Sequence, residues 1–215
     1  MIKRLLRLIY ERHSLEKLDI KDFSRIKTNG MRFTVRAFEA KGLGHVSIMT
    51  GSGYLGLMRM DTVMVVPREK DLPLYSYDRI YAMGNDTLIV ELYDTLLEPA
   101  NFNELEWIKK KYKHIPERDP GLHWYDSIKL KESISKKAKK EYSDELDELA
   151  LAHFEAYLDT IVNKVDNKDL KLKKTKKYVK DLLANGGPST DVFIESFGKR
   201  QTERFFKRAL FGTDK

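Results

Sequence analysis

The chain opens on a helical pattern of apolar residues and then changes to alternation. Leu5, Leu6, Leu8 and Ile9 fit one face of an amphipathic first helix. From residue 31 onward, apolar and polar residues alternate with a period of two, which predicts strands with one buried face. Strands are expected at residues 31–40, 45–49, 54–66, 75–83 and 87–93.

The connections between these predicted strands are short and rich in glycine or proline. Such connections favour antiparallel neighbours, because a hairpin needs only a few residues. The end of the strand at residues 57–66 is apolar on both sides, with Met64 and Val66 on one and Val63 and Val65 on the other. Both faces of the sheet are therefore expected to be covered.

Beyond Pro99 the pattern becomes helical. Helices are expected at residues 101–112, 143–165, 168–184 and 199–210. The third ends at a strong breaker, Asn185-Gly-Gly-Pro188, and residues 114–140, which contain two prolines and a lysine run, are predicted to form a loop. The predicted fold class is α/β: an α/β/α sandwich with a central, mainly antiparallel sheet flanked by helices on both faces. One domain is expected to span residues 1–215.

Composition narrows the function classes. The chain has 215 residues, 41% of them hydrophobic, which suits one substantial core. No run approaches the roughly 18 to 20 apolar residues of a membrane span, and Arg4 and Arg7 interrupt the opening apolar segment, so a cytoplasmic protein without a membrane partner is expected. The chain has no cysteine, which excludes disulfides, thiolate nucleophiles and cysteine-held iron–sulfur clusters. Any electrons it uses must come from a bound cofactor or a partner.

The charge is +7, and lysines cluster at residues 129–140 and 164–180. Such runs attract nucleic acid, anionic membranes or acidic proteins, but they are equally typical of solvated helix faces. A nucleic-acid-binding protein is therefore one hypothesis, and it predicts affinity that falls steeply with salt. Against it, Trp107, Trp124 and Phe205 do not interleave with the lysines in a recognisable binding motif.

Two residue patterns could indicate a nucleotide site or a metal site, but their sequence context argues against both interpretations. Gly51-Ser-Gly-Tyr-Leu-Gly56 matches the letters of the dinucleotide fingerprint, but a strand pattern follows it where a helix is needed, so a glycine hairpin is expected. The histidines lack a two-ligand spacing on one helical face, and a metal site is conceivable only from scattered residues: His114, Glu117, Asp119 and His123. Neither a P-loop nor a G-x-S-x-G elbow is present, which disfavours phosphoryl transfer and serine hydrolysis.

Polar residues inside the central strands are more informative. Three pairs share strand faces: His45 with Ser47, Arg59 with Asp61, and Ser76 with Asp78. Buried charges need partners or a wet cleft. One interpretation is an internal ion pair, Arg59–Asp61 or Arg79–Asp78. The other is a pocket over one face of the sheet, in which burial raises the pKa of a carboxyl group until it can donate a proton.

Three segments carry a resemblance to a known family: Met64-Val-Val-Pro67, Asp71-Leu-Pro-Leu-Tyr-Ser-Tyr-Asp78 and Leu88-Ile-Val-Glu-Leu92. Together they resemble the ferredoxin-dependent bilin reductases. The closing pattern of Pro188, Phe197-Gly198, Phe205-Phe206 and Leu210-Phe211 is also similar to that family. The similarity covers residues 36–97 and 188–212.

The resemblance implies a linear tetrapyrrole bound between the sheet and the C-terminal helices, with external reduced ferredoxin or flavodoxin as electron donor and no tightly bound cofactor. It places Asp78 on the catalytic aspartate and His45 on a catalytic histidine. Ser47 stands where the family has glutamate, and Asp61 or Thr62 where it has a further histidine. Several members carry aspartate at the position of Gly187, and Asp191 lies nearby. The candidate site therefore has two parts, catalytic Asp78, His45 and Asp191, and substrate-binding Ser47, Arg59, Asp61, Thr62 and Ser76.

Basic rims at residues 171–177 and 199–208 would steer an acidic electron-transfer protein toward the site. The departures at Ser47, Thr62 and Gly187 motivate a second hypothesis, a tetrapyrrole-binding protein that keeps the pocket without the chemistry.

Overall fold

Eight antiparallel strands form the centre of the protein in a computed structural model, which describes residues 1–214 apart from the side chains of residues 188 and 189. The strands are β1 (Leu15–Lys17), β2 (Arg25–Thr28), β3 (Met31–Ala40), β4 (Gly44–Gly53), β5 (Met58–Pro67), β6 (Leu74–Ala82), β7 (Asn85–Tyr93) and β8 (Ile134–Lys139). Both β1 and β2 pair with β3, and β3 to β8 follow one another across the sheet.

Helices cover both faces of this sheet. One face carries α1 (Ile2–Arg12), α2 (Asn103–Lys111) and α3 (Ser143–Asp159). The other carries α4 (Lys168–Asn185), α5 (Pro188–Arg204) and a terminal π-helical turn, Phe205–Leu210. The predicted α/β/α sandwich is confirmed. No helix in residues 1–214 has the length and apolar character to cross a membrane.

Alternation along β5 builds a core on each side. Val63 and Val65 are buried against α1–α3, whereas Met64 and Val66 are buried against α4–α5. Because both faces of the sheet are covered here, the side chains on each side of β5 are removed from water, which explains why residues 63–66 are all apolar.

The glycine motif is a turn, as predicted. Tyr54–Gly56 forms a tight turn in which Tyr54 and Leu55 have positive φ, and β5 begins two residues later, so no helix N-terminus is available for a phosphate. Gly51 is required by packing, because a Cβ atom there would lie 2.4 Å from the ring of Phe33. The hairpin is therefore a structural element of the sheet.

The predicted loop at residues 114–140 is wrong in part, because it contains the edge strand β8. Its inward positions are Ile134, Lys136 and Ala138. The Lys136 ammonium is buried and donates hydrogen bonds to Glu117 Oε1 at 2.6 Å and to the Ile115 carbonyl at 2.8 Å. A lysine at an inward position hides the alternation that would have indicated a strand.

Two helix boundaries and two short strands also differ from prediction. Helix α5 begins at Pro188, eleven residues before the predicted start, because a proline that ends one helix can occupy the first turn of the next. Gly198, with φ of 80°, kinks α5 close to that predicted start. Helix α3 ends at Asp159, and Val165 instead donates its N–H to the Glu69 carbonyl. The strands β1 and β2 are too short for periodicity to indicate.

A buried ion pair fastens α4 to the sheet. Lys171 Nζ lies 2.8 Å from Asp71 Oδ1, 2.7 Å from the Leu72 carbonyl and 2.9 Å from the Thr95 carbonyl. Lys171 is 1% exposed and Asp71 is 4% exposed. The placement of Lys171 on a basic rim is therefore wrong: this ammonium is an internal anchor, and the rim of α4 consists of its outward lysines.

Candidate functional site

A cavity of about 410 Å³ lies against the sheet on the side of α4 and α5, and it is enclosed by α5 and by residues 118–125. This volume falls within the roughly 300–1,000 Å³ of small-molecule sites. Its walls are mainly apolar, from Met31, Phe33, Met49, Met58, Met60, Ile80, Ile89 and Phe193. A smaller space of about 100 Å³ adjoins it and reaches toward Tyr178 and the terminal turn. Both parts are lined by Asp78 and Glu91.

Asp78 is the central polar group of this cavity. It lies on β6 opposite Thr62 of β5, whose hydroxyl donates a 2.6 Å hydrogen bond to Asp78 Oδ1. Burial, with a smaller contribution from the nearby Glu91 carboxylate, raises the pKa of Asp78 to about 6, although the hydrogen bonds from Thr62 and Ser76 act in the opposite direction. A carboxyl group with this pKa carries a proton in part of the molecules near neutrality. Asp78 can therefore act as a general acid.

Glu91 is a cavity residue that the sequence reasoning did not select. It lies on β7 opposite Ser76, and Tyr93 Oη donates a 2.5 Å hydrogen bond to Glu91 Oε2. One signal was available in the sequence: Glu91 is the single charged residue in the apolar run at residues 88–92. An isolated charge in a buried strand indicates a partner or a wet cavity.

A cationic side of the cavity comes from the segment that was predicted to be a loop. Arg118 and His123 line the larger cavity, and the Arg118 N–H donates to the Ser135 carbonyl at 2.9 Å, which ties this segment to β8. The His123 ring stacks on Tyr125 with centroids 4.8 Å apart. Arg118 therefore adds a permanent positive charge to the cavity lining.

The conceivable metal site is not assembled. Among residues 1–214 there is no group of three or more side chains placed to hold a metal ion. His114 Nε2 instead lies 2.5 Å from Glu145 Oε2 on α3, whereas His123 lines the cavity on the other side of the sheet.

His45 and Ser47 lie beneath the terminal turn, outside the cavity lining. His45 Nε2 is 3.0 Å from the Ala209 carbonyl, and Ser47 Oγ donates to the Leu210 carbonyl at 2.8 Å. Because the carbonyl only accepts, His45 holds its proton on Nε2. Burial lowers the pKa of His45 to about 4. These two side chains fasten the C-terminal segment to β4.

Acidification is expected to destabilise the protein through His45 and through His153, whose pKa burial also lowers to about 4. Since the folded-state pKa lies below the ordinary value of about 6.5, the unfolded chain takes up protons first as the pH falls from about 6.5 to 4. Each histidine then lowers the free energy of unfolding by about 2–3 kcal/mol at pH 4. Asp78, whose pKa is raised, opposes this loss between about pH 6 and 4.

Urea unfolding at pH 7.5, 6 and 4.5 measures this effect. His45→Gln keeps a donor for the Ala209 carbonyl but cannot be protonated, so its stability should fall less steeply with acid than that of the wild type. Equal slopes for the two proteins would contradict the prediction.

Arg59 and Asp61 lie on the opposite face of the sheet from the cavity. Arg59 Nη2 and Asp61 Oδ2 are 3.6 Å apart, so the two side chains pair as predicted, but Arg59 is exposed and the pair is not internal. The alternative Arg79–Asp78 pair is wrong, because neighbouring residues of a strand face opposite sides. Arg79 is fully buried and pairs with Asp86, with Arg79 Nε 2.5 Å from Asp86 Oδ1.

Asp191 lies in the first turn of α5 and is exposed, and it does not line the cavity. Of the predicted site residues, the fold brings together Asp78, Thr62 and Ser76 around one cavity. It adds Glu91, which lies in a segment quoted for the resemblance but was not selected as a site residue, and Arg118 and His123 from the segment predicted to be a loop.

Comparisons with known proteins support the fold. The sequence matches no protein family and no curated protein. Among solved structures, the chain is similar to a crystal structure of phytochromobilin synthase from tomato in complex with biliverdin, with a TM-score of 0.75 and 14% sequence identity. The alignment covers 99% of this chain and 83% of the tomato chain. At this identity the likeness establishes the architecture, and the chain therefore has a bilin reductase-like fold.

Proposed function

We propose that this protein is a bilin reductase-like oxidoreductase that binds a linear tetrapyrrole in the cavity and uses Asp78 as a proton donor. The observation that supports this proposal most directly is Asp78 itself, a carboxyl group of raised pKa that lines a mainly apolar cavity. The tomato protein of similar fold was crystallised in complex with biliverdin. Both observations support a pigment site between the sheet and the C-terminal helices.

The cavity chemistry suits such a ligand. A linear tetrapyrrole has a flat apolar surface, pyrrole N–H donors and two propionates. Methionine and phenylalanine side chains can contact its plane, and the carboxylates of Asp78 and Glu91 can accept from pyrrole N–H groups. Arg118 can pair with a propionate.

In the proposed reaction, external reduced ferredoxin or flavodoxin supplies electrons one at a time. The chain has no cysteine, so a cysteine-held iron–sulfur cluster would belong to the donor protein. Asp78 protonates the pigment as negative charge develops on it, and the apolar walls limit access of water. Asp78 is then reprotonated from solvent.

An acidic donor protein would be steered by outward lysines. Lys173, Lys176, Lys177 and Lys180 are exposed or partly exposed along α4, which forms part of the cavity wall. Long-range attraction between a basic rim and an acidic partner raises the association rate and weakens with salt.

A non-catalytic tetrapyrrole-binding protein is the second candidate. The observation that favours it is the position of His45 and Ser47, which are engaged with the terminal turn and do not face the cavity. A protein with the pocket but a reduced set of proton donors would hold a pigment without reducing it.

A visible-absorbance titration with biliverdin, followed by reduced ferredoxin under anaerobic conditions, tests the proposal. The expected result is a stoichiometric spectral shift that then evolves into new bands. Met60→Trp, which fills the cavity, should abolish the shift, whereas Glu104→Trp on the exposed side of α2 should not. A shift that stays constant favours the binding protein, and absence of any shift contradicts both candidates.

A further inference from the structure

A second carboxyl group, that of Glu91, faces the cavity beside Asp78. Ser76 pairs with Glu91 and Asp78 pairs with Ile89 across β6 and β7, so Asp78 and Glu91 are diagonal neighbours on one sheet face. Diagonal neighbours in an antiparallel pair are about 7–8 Å apart. Two carboxyl groups at this spacing can reach different atoms of one flat ligand.

We propose that Glu91 donates the second proton of each two-electron reduction, an inference that rests on the proposed function. Saturating one carbon–carbon double bond consumes two electrons and two protons. Two molecules of reduced ferredoxin each lose one electron. One O–H bond breaks at Asp78 and one at Glu91 as two C–H bonds form on the pigment, and solvent then reprotonates both carboxylates.

Four other candidate donors are either outside the cavity or poor acids, and His123, which lines the cavity, is the alternative that the experiment below distinguishes. His45 is covered by the terminal turn, and Asp191 is exposed outside the cavity. Tyr93 and Tyr125 line the cavity, but burial raises the pKa of each well above its ordinary value, so they release protons less readily. Among the residues that line the two parts of the cavity, Glu91 is the carboxyl group present besides Asp78.

The surroundings of Glu91 fix its position. Tyr93 Oη donates to Glu91 Oε2 at 2.5 Å, and the Tyr93 ring packs against Tyr178 at 4.5 Å and Tyr125 at 5.4 Å between centroids. This aromatic packing holds the Tyr93 hydroxyl in place, so its hydrogen bond fixes the position of the Glu91 carboxyl group in the cavity lining. The negative charge of Glu91 is close enough to contribute to the raised pKa of Asp78, which places the two carboxyl groups near each other in the cavity.

Glu91→Gln is the decisive variant, because glutamine keeps the size of the side chain and can accept from Tyr93 but cannot release a proton. With biliverdin and reduced ferredoxin, we expect biliverdin affinity within about twofold of wild type and formation of the two-electron product slowed about 10²-fold or more. A one-electron-reduced pigment should accumulate, visible as a radical by electron paramagnetic resonance. Glu104→Gln, an exposed carboxyl on α2, should behave as wild type.

A ligand-free measurement accompanies the kinetic one. Carboxyl NMR titration should show a lower pKa for Asp78 in Glu91→Gln than in wild type, because the neighbouring negative charge is gone. An unchanged Asp78 titration would overturn the coupling of the two groups.

The outcomes separate the two proposals. If wild type reduces biliverdin and Glu91→Gln does so at the same rate, or if His123→Gln stalls the second step in its place, the role of Glu91 is wrong and the proposed function stands. If Glu91→Gln loses biliverdin binding, Glu91 is a binding residue and not a donor. If wild type neither binds nor reduces biliverdin, the proposed function itself fails.

Discussion

Asp78→Asn is expected to slow pigment reduction by about 10²–10⁴-fold while leaving pigment affinity nearly unchanged. Asparagine has almost the same shape and can still accept the hydrogen bond from Thr62, but it has no proton to give. Anaerobic kinetics with reduced ferredoxin and a binding titration separate the two effects. Full turnover in this variant would refute the assignment of Asp78, and Glu104→Gln serves as the carboxyl control on an exposed surface.

Asp78→Asn is also expected to change the free energy of unfolding, in a way that depends on pH. The folded-state pKa of Asp78 is about 6, above the ordinary value of about 3.9, so the folded protein retains a proton that the unfolded chain releases between these values. Asp78 therefore lowers the free energy of unfolding as the pH rises through this window. Asp78→Asn should be more stable than wild type by about 1–3 kcal/mol at pH 7.5, and the difference should shrink toward pH 4.

Urea unfolding at both pH values measures this difference. If Asp78 had a purely structural role, its replacement would lower the free energy of unfolding at every pH, which is the opposite of the expected gain. A gain in stability combined with a loss of reduction is the pattern expected of a strained functional group.

Lys171→Met is expected to lower the free energy of unfolding by about 3–5 kcal/mol, the cost of leaving a buried charge unpaired. The partner left behind is Asp71, which also accepts from the N–H groups of Leu97 and Glu98. Although burial raises the pKa of Asp71, the hydrogen bonds from Lys171 and from these two N–H groups lower it overall. In the variant that carboxylate loses its ammonium partner.

Matched variants make this prediction sharp. Lys173→Met removes an exposed lysine two residues away on α4 and should change stability by less than about 0.5 kcal/mol. Adding Asp71→Leu to Lys171→Met should recover part of the loss, because both buried charges are then gone. Urea unfolding measures all three proteins. A loss below about 1 kcal/mol in Lys171→Met would contradict the role of the pair.

The ion pair also bears on the site. Helix α4 supplies Tyr178 and Leu182 to the cavity wall, and Lys171 fixes the start of this helix against the sheet. The Asp71-Leu-Pro segment that contributes to the family resemblance therefore has a structural explanation in this chain: its carboxylate anchors the helix that closes the pocket.

Much of the sheet could be predicted from the sequence, since period-two alternation over nine or ten residues is a local signal. The strands from β3 to β7 and the coverage of both sheet faces followed from this pattern, whereas for Asp78 the pattern left a pocket and an ion pair as alternatives. The same reasoning missed β8 because Lys136 occupies an inward position of this strand. Its ammonium donates hydrogen bonds to Glu117 and to the Ile115 carbonyl, which lie about 20 positions away in the sequence. A partner that remote leaves no trace in the local pattern.

By itself, then, the sequence determined the α/β/α architecture and the choice of Asp78, because strand periodicity and a short motif are properties of neighbouring residues. Tertiary structure alone decided which residues share the cavity. Alternation places His45 on the same sheet face as Asp78, yet the terminal turn covers His45 and leaves Asp78 open. Arg118 and His123 also line the cavity, although they lie about 40 residues after Asp78 in the segment that was predicted to be a loop. Contacts between distant segments depend on how the chain packs, and no local pattern encodes them.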